Sequence, residues 1–279
     1  MQVFKEIEPL RAFLKDKWNI ISIGMVPTMG ALHAGHLSLV RAAKSENELT
    51  LCSIFVNPAQ FNNAKDLEKY PRSLDRDLSM LEEAGCDIVF APESLEMYNH
   101  ISTIKFDFGQ LDKVLEGKYR PGHFSGVALV VSKLFHIVKP TLAYFGQKDF
   151  QQFKIIEKLV DELKFDIQLK QMPVFREADG LAMSSRNMRL NESERKKATV
   201  LYESLLAAKK ILIEGERLSR AKELVKQKCE SVTGVKLDYF ELADSENLNL
   251  LETVTPKSVL LIAGFVGEVR LIDNLLLNE

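Results

Sequence analysis

Cysteine is scarce. Cys52, Cys86 and Cys229 are odd in number and widely spaced, which supports neither a disulfide framework nor a thiolate zinc site. Cys52 falls in a strand-like run and Cys86 follows a glycine, so both read as buried packing rather than as nucleophiles. An excess of either charge is also missing. With 37 basic and 39 acidic residues the formal net charge is -2, which gives no general attraction to nucleic acid or to an anionic membrane surface. No uninterrupted apolar run approaches the roughly 18 residues of a membrane span. The stretch VALVVSKLFHIV is broken by Lys133 and His136. The first residues, MQVFKEIEPLRAFLKDKW, mix charges into a short amphipathic helix pattern where a signal peptide would carry a continuous apolar core, so a cytoplasmic protein is expected.

What is present suits a globular enzyme. A hydrophobic fraction of 46% with 27% charged residues allows a sizeable core, and 279 residues exceed one average domain. Short runs rich in Ile, Val and Leu at 20–26 and 49–56 read as buried strands, as do 87–90, 142–146 and 166–174. Helix-like stretches at 74–84, 125–138 and 150–163 separate them. That alternation predicts an α/β fold: a doubly wound, Rossmann-like parallel sheet, with ligands beyond the C-terminal ends of its strands.

After Val174 the pattern changes. A polar loop, FREADGLAMSSRN, precedes a charged amphipathic helix over about 191–214 and another over about 219–228. Strand-like segments at 237–242, 258–265 and 268–273 follow, the last two close enough for a hairpin around Val266 and Gly267. The expectation is two domains, 1–174 Rossmann-like and 175–279 a smaller α+β unit, without internal repeats or a low-complexity linker.

The strongest local signal for chemistry is VPTMGALHAGHLSLV. A strand ends near Val26, a glycine-containing turn carries His33, and a helix begins close to Gly35 or His36. A helix start gathers unpaired backbone N–H groups and the positive end of the helix dipole, and Gly30 and Gly35 let a phosphate approach the main chain. Two isolated histidines usually do no more than cap a turn; the surrounding strand, turn and helix favour an anion site here.

The His-x-Gly-His pattern at His33 to His36 resembles the phosphate-binding signature of class I adenylate-forming and nucleotidyl-transferring enzymes. The longer string PTMGALHAGH resembles the pantothenate synthetase family, and the likeness runs along nearly the whole chain. It includes FVNPAQF (55–61), YPR (70–72), RPGHFSGV (120–127), YFGQKDFQQ (144–152) and READGLAMSSRN (176–187). The family implies a Rossmann-like domain with a smaller C-terminal domain closing over ATP. It also implies ATP-dependent joining of pantoate to β-alanine through a pantoyl-adenylate, and a homodimer.

Carried over residue by residue, the resemblance assigns ATP contacts to Met29, Gly30, Ala31, Leu32, His33, Ala34, Gly35 and His36. Gly146, Gln147, Lys148 and Asp149 form a second nucleotide segment, and Met183, Ser184, Ser185 and Arg186 a third, with a backbone contact near Phe175. His33, His36, Lys148 and Arg186 take the catalytic roles, as hydrogen-bond donors and cations facing developing negative charge. Asn57, Gln60 and Gln152 are expected at pantoate, with Gln60 also near β-alanine; Arg120 and His123 are further candidates to assist the site, although RPGHFSG would also serve as an ordinary helix-entry loop. Magnesium is expected as the ATP counterion, held largely by phosphate oxygens and water. Asp77, spaced from Asp75 as an acidic pair, is the candidate protein ligand, although carboxylates at a helix start also favour the dipole for structural reasons. Two other classes fit parts of the sequence: another adenylyl- or nucleotidyl-transferase with the same short signature, and a non-catalytic nucleotide sensor.

Overall fold

In three sheet-centre dipeptides, Met25-Val26, Leu51-Cys52 and Ile88-Val89, both residues are buried. Successive side chains of a strand point to opposite faces, so such pairs call for cover on both sides of a sheet. The computed structural model describes residues 1–62, 67, 68, 70–100 and 102–278. The chain forms two compact units: Met1–Gly146 with Gln151–Met172, and Gln147–Phe150 with Pro173–Glu279.

In the first unit the elements run β1 (Gln2–Phe4), α1 (Ile7–Lys15), β2 (Ile23–Thr28), α2 (Ala34–Glu46), β3 (Leu49–Ile54), α3 (Leu74–Glu83) and β4 (Ile88–Phe90). They continue through the short helices α4 (Ser94–Met97) and α5 (Leu115–Tyr119) to α6 (His123–Val138), β5 (Leu142–Gly146), α7 (Phe150–Leu163) and β6 (Gln168–Met172). The six strands make one parallel sheet in the order β1-β4-β3-β2-β5-β6. Chain order runs outward from β2 through β3 to β4 on one side and from β5 to β6 on the other. The switch point, where open α/β sheets bind ligands, therefore lies beyond Thr28 and Gly146.

One apolar layer joins Met25, Leu51 and Ile88 to Leu10 and Leu14 of α1, Leu134 and Phe135 of α6, and Ile155 and Ile156 of α7. The opposite layer joins Val26, Cys52, Val89 and Tyr144 to Val40 and Ala43 of α2 and Leu81 of α3. Cys52 and Cys86 are buried, and burial pushes their thiols up, Cys86 to about 11, so they pack as neutral groups.

The second unit contains a 3-10 turn (Ser185–Arg189), α8 (Glu192–Lys197), α9 (Val200–Ile213), α10 (Leu218–Glu230), β7 (Val235–Asp244), β8 (Ser258–Val266) and β9 (Val269–Leu276). Its strands form an antiparallel sheet, β7-β8-β9, whose core residues Leu242, Leu260 and Ile262 pack with Leu201 and Leu205 of α9 and Val225 of α10. The β8–β9 hairpin closes with Val266 opposite Val269, and Gly267 takes φ 58, which a two-residue hairpin turn favours and glycine tolerates.

Three expectations need correction. The opening residues do not begin as helix: Gln2 to Phe4 pair in parallel with Ile88 to Phe90, and the helix starts at Ile7. Pro9 then lies in the first turn of α1, where its missing N–H costs no helix hydrogen bond. The strand expected from residue 20 starts at Ile23, and Ile20 is 76% exposed. The single helix expected over 191–214 is two, α8 and α9, with Ala198 and Thr199 between them. Among the described residues no helix is long and apolar enough to cross a membrane.

Candidate active site

Beyond β2 the chain turns sharply. Thr28 Oγ1 donates to the Ser53 carbonyl (2.7 Å) and accepts from the Gly30 N–H (3.2 Å). Gly30 and Ala31 both take left-handed backbone, φ 77 and φ 49; the second is costly for a residue with a Cβ. What holds Ala31 there is Asp77. One carboxylate oxygen accepts from the Ala31 N–H and the other from the Leu32 N–H, each at 2.8 Å. A Cβ on Gly30 would lie 2.9 Å from the same carboxylate, so glycine is required by space as well as by φ. The turn delivers His33 to the N-cap of α2, and the His33 and His36 rings stack with centroids 3.9 Å apart.

Asp77, the candidate metal ligand, is thus committed to the main chain in this structure. The side chain is 1% exposed and both oxygens are engaged by main-chain amides, with Ser73 Oγ a further 3.4 Å contact. Among the described residues no group of three or more His, Cys, Asp or Glu side chains is placed to hold a metal ion.

Asn57 is likewise engaged within the protein. It is 1% exposed and its amide is fully used: Oδ1 accepts from the Ala59 N–H (3.3 Å) and the Tyr98 hydroxyl (2.8 Å), and Nδ2 donates to Gln60 Oε1 and to the Gly126 carbonyl, both at 3.0 Å. In this arrangement it supports Gln60, with both donors and both lone pairs of its amide engaged. Close packing at Gly126 makes this possible, since a Cβ there would collide with the Ala59 carbonyl. Gln60 in turn donates from Nε2 to the Met29 sulfur at 3.0 Å, which joins the expected pantoate residue to the expected ATP segment.

The main chain of Gln60 is secured by the RPGH segment. His123 Nδ1 lies 2.8 Å from the Gln60 carbonyl and His123 Nε2 lies 3.1 Å from Arg120 Nη1. A guanidinium only donates and a carbonyl only accepts, which assigns neutral His123 with its proton on Nδ1. Farther along, adjacent glutamines divide their work. Gln151 is buried and ties down the 111–116 loop, accepting from the Glu116 N–H and donating to the Leu111 and Val114 carbonyls. Gln152 is only partly buried.

In the second unit, β9 organises the two remaining segments. Asn274, 1% exposed, donates to the Gln147 and Lys148 carbonyls (2.9 and 3.0 Å) and accepts from Gln147 Nε2 (3.2 Å). Its neighbour Asp273 forms a bidentate pair with Arg176 (2.7 and 3.0 Å). Arg176 also donates to the Gly180 and Asn274 carbonyls, and its guanidinium lies 3.7 Å from the Tyr202 ring centroid. The loop is closed further by the Met183 N–H on the Phe175 carbonyl (2.9 Å), and Ser184 caps the 3-10 turn by accepting from the Arg186 N–H (3.2 Å). Lys148, Ser184, Asn187 and Asp273 line one small cavity, so the lysine and the serine segment, 36 positions apart in sequence, meet within this unit. Lys148 Nζ lies 3.7 Å from Asp149.

Sequence reasoning missed Tyr98, Asp273 and Asn274, whose partners lie far along the chain and carry no local spacing signal. Arg176 stood inside a quoted motif without a role.

The chain is similar to known proteins along its whole length. The Pantoate-beta-alanine ligase family matches residues 2–276. The pantothenate synthetase of Thermosipho africanus is 48% identical, covering 99% of this chain and 100% of the relative. That of Aquifex aeolicus is 49% identical over 98% of this chain and 97% of its own length. Among solved structures, pantothenate synthetase from Thermus thermophilus superposes with a TM-score of 0.94 at 40% identity, covering 100% of both chains. The Francisella tularensis pantoate-beta-alanine ligase, complexed with beta-gamma ATP and beta-alanine, gives 0.83 at 33% identity, covering 100% of this chain and 98% of that one. With a match along its full length and the signature loops built as described, this chain belongs to the pantoate-beta-alanine ligase family.

Proposed function

We infer that this chain condenses pantoate with β-alanine at the expense of ATP, giving pantothenate, AMP and pyrophosphate through a pantoyl-adenylate. The observation that carries the reading is the family match over residues 2–276, together with a relative whose structure is described with beta-gamma ATP and beta-alanine. A different nucleotidyl-transferase sharing only the short histidine signature would not match along the whole chain, and neither that reading nor a non-catalytic sensor is favoured.

A carboxylate is a poor acyl donor because oxide would have to leave. In the proposed reaction a pantoate carboxylate oxygen attacks the α-phosphorus of ATP and the bond to pyrophosphate breaks. The neutral amine of β-alanine then attacks the adenylate carbonyl, AMP leaves, and the amine proton passes to solvent or to AMP. Neither step needs a covalent enzyme intermediate; orientation and charge stabilisation carry both. In the first unit, the turn from Met29 to His36 brings two imidazoles and the start of α2 to phosphate, and Gln60 and Gln152 contact pantoate. In the second, Gly146-linked Gln147, Lys148 and Asp149, with Met183 to Arg186 and the backbone at Phe175, contact the nucleotide. Lys148 and Arg186 supply positive charge where the leaving pyrophosphate gathers negative charge. Magnesium belongs to the proposal as the ATP counterion, bound by phosphate oxygens and water without Asp77. A homodimer and a cytoplasmic location belong to it through the family; light scattering on the purified chain checks the first.

The test is isotope exchange. Labelled pyrophosphate should enter ATP when pantoate is present and β-alanine is absent, because adenylation is reversible and precedes the amine. Exchange that required β-alanine would remove the sequential adenylate route.

A further inference from the structure

The hydrogen-bond network around Asn57 fixes which way the Gln60 amide faces. The Ala59 N–H can only donate and the Gly126 carbonyl can only accept, so Asn57 must turn Oδ1 to the first and Nδ2 to the second. Asn57 Nδ2 then meets Gln60 at 3.0 Å, and the Gln60 atom there must be the acceptor Oε1. Gln60 Nε2 is left facing Met29, 3.0 Å from its sulfur. A thioether is a weak acceptor, easily replaced by the oxygen of a bound acid.

Tyr98 completes this chain from outside the signature motifs. Its hydroxyl donates to Asn57 Oδ1 at 2.8 Å, across 41 positions of sequence. The ring is held independently of the hydroxyl, 6.1 Å from the Phe55 ring and with Lys133 Nζ 4.3 Å from its centroid; Lys133 also donates to the neighbouring Met97 carbonyl. Burial pushes the phenol up to about 12, so it remains a donor throughout the neutral range.

We propose that Tyr98 is a positioning residue for pantoate recognition: as the second donor to Asn57 Oδ1 it tightens the side chain that the main chain has oriented, and so keeps the Gln60 amide with its NH2 group toward the substrate, where Gln60 reads a carboxylate or hydroxyl lone pair of pantoate. The inference rests on pantoate being the acid substrate. It extends that reading by assigning Gln60 as donor, Asn57 as relay and Tyr98 as the remote anchor.

Steady-state kinetics on the full chain test it. Tyr98→Phe keeps the ring and removes the hydroxyl; KM for pantoate should rise about tenfold, as for one lost neutral hydrogen bond, while kcat, KM for ATP and the melting temperature stay near wild type. In a Gln60→Leu background the same change should add nothing to KM for pantoate, because the amide being oriented is gone. A second variant, Asn57→Asp, keeps an acceptor for Ala59 and Tyr98 but loses the donor to Gln60, so the Gln60 amide turns over and KM for pantoate rises further than in Tyr98→Phe. An unchanged pantoate KM in Tyr98→Phe or in Asn57→Asp, or an equal rise with and without Gln60, would overturn the proposal. Wild-type chain that releases no pyrophosphate from ATP in response to pantoate would instead overturn the functional reading on which it rests, before any variant is compared.

Discussion

In the first unit the histidine turn hangs from one carboxylate: Asp77 accepts the Ala31 and Leu32 N–H groups and keeps Ala31 in left-handed backbone. In the second unit the Lys148 and Met183–Arg186 segments are fastened through β9, by a buried Arg176–Asp273 ion pair and by Asn274 on two main-chain carbonyls. The first device reaches back 46 positions from Asp77 to Ala31 but sets backbone conformation over only two residues. The second joins segments 97 positions apart and carries two charges out of water, with side-chain exposures of 17% and 3%. Site geometry and unit stability therefore separate differently in the two places. Loosening Asp77 should disturb the turn more than the sheet, whereas loosening Arg176 should disturb the whole second unit.

The largest expected effect tests the ion pair. Arg176→Met leaves Asp273 buried without its partner, which should cost about 3–5 kcal/mol of stability. Urea unfolding measures it, and combining Arg176→Met with Asp273→Leu should recover most of the loss. A single variant as stable as wild type would remove the contrast between the units.

Next come the groups proposed to face ATP, one from each unit. His36→Ala and Lys148→Ala should each slow adenylation roughly a hundredfold, equivalent to about 3 kcal/mol at the transition state, with little change in melting temperature. Single-turnover pyrophosphate release reads the rate. Near-normal adenylation in either variant would take that residue out of the catalytic assignment.

Asp77→Asn sharpens the local side of the comparison. One oxygen remains to accept an N–H, but the other position becomes an NH2 group facing a donor, and a buried N–H left unsatisfied costs about 1–3 kcal/mol. Adenylation should fall more than stability accounts for, because Ala31 is released from its strained conformation; hydrogen exchange should speed up at Ala31 and Leu32 while the core of β2 stays protected. Equal loss of protection throughout the sheet would contradict a local clamp.

The smallest effect is a pH dependence confined to the second unit. Burial, offset in part by the hydrogen bonds and charge of Arg176, pushes the Asp273 carboxyl above its ordinary 3.8. The folded chain therefore holds this proton more tightly than the unfolded chain. The stabilising contribution is fully present below pH 3.8, is lost as pH rises through the raised folded value, and is flat above it. The stability of wild type relative to Asp273→Asn should fall over that interval; a difference that grew with pH would reverse the assigned sign.

Most of the fold was legible where burial imposes a period. The β2, β3 and β5 runs and the last hairpin are apolar because both faces or one face of a sheet must be covered, and the sequence says so directly. The three-residue β1 is too short to show a period, and its partner Ile88 to Phe90 lies far along the chain. The break between α8 and α9 leaves little trace because Ala198 fits a helix as readily as its boundary.

At the site, residue type was readable and use was not. Asp77 is a first-turn acid, a position compatible with a helix dipole, a metal or a clamp; only the Ala31 and Leu32 contacts decide. Asn57 and Gln60 carry the same chemistry three positions apart, and the donors and acceptors at Ala59, Gly126 and Tyr98 separate the support from the residue proposed to contact pantoate. Asn274 met no motif at all, since its partners stand 126 and 127 positions earlier.

The most direct test of the account is to trap the intermediate. Purified chain incubated with ATP and pantoate, without β-alanine, should hold pantoyl-adenylate in close to stoichiometric amount when analysed by mass spectrometry after rapid quenching, and a chase with β-alanine should convert it to pantothenate and AMP within one turnover. If no acyl-adenylate forms while pantothenate still accumulates once β-alanine is added, activation does not proceed as described and the proposed mechanism is wrong.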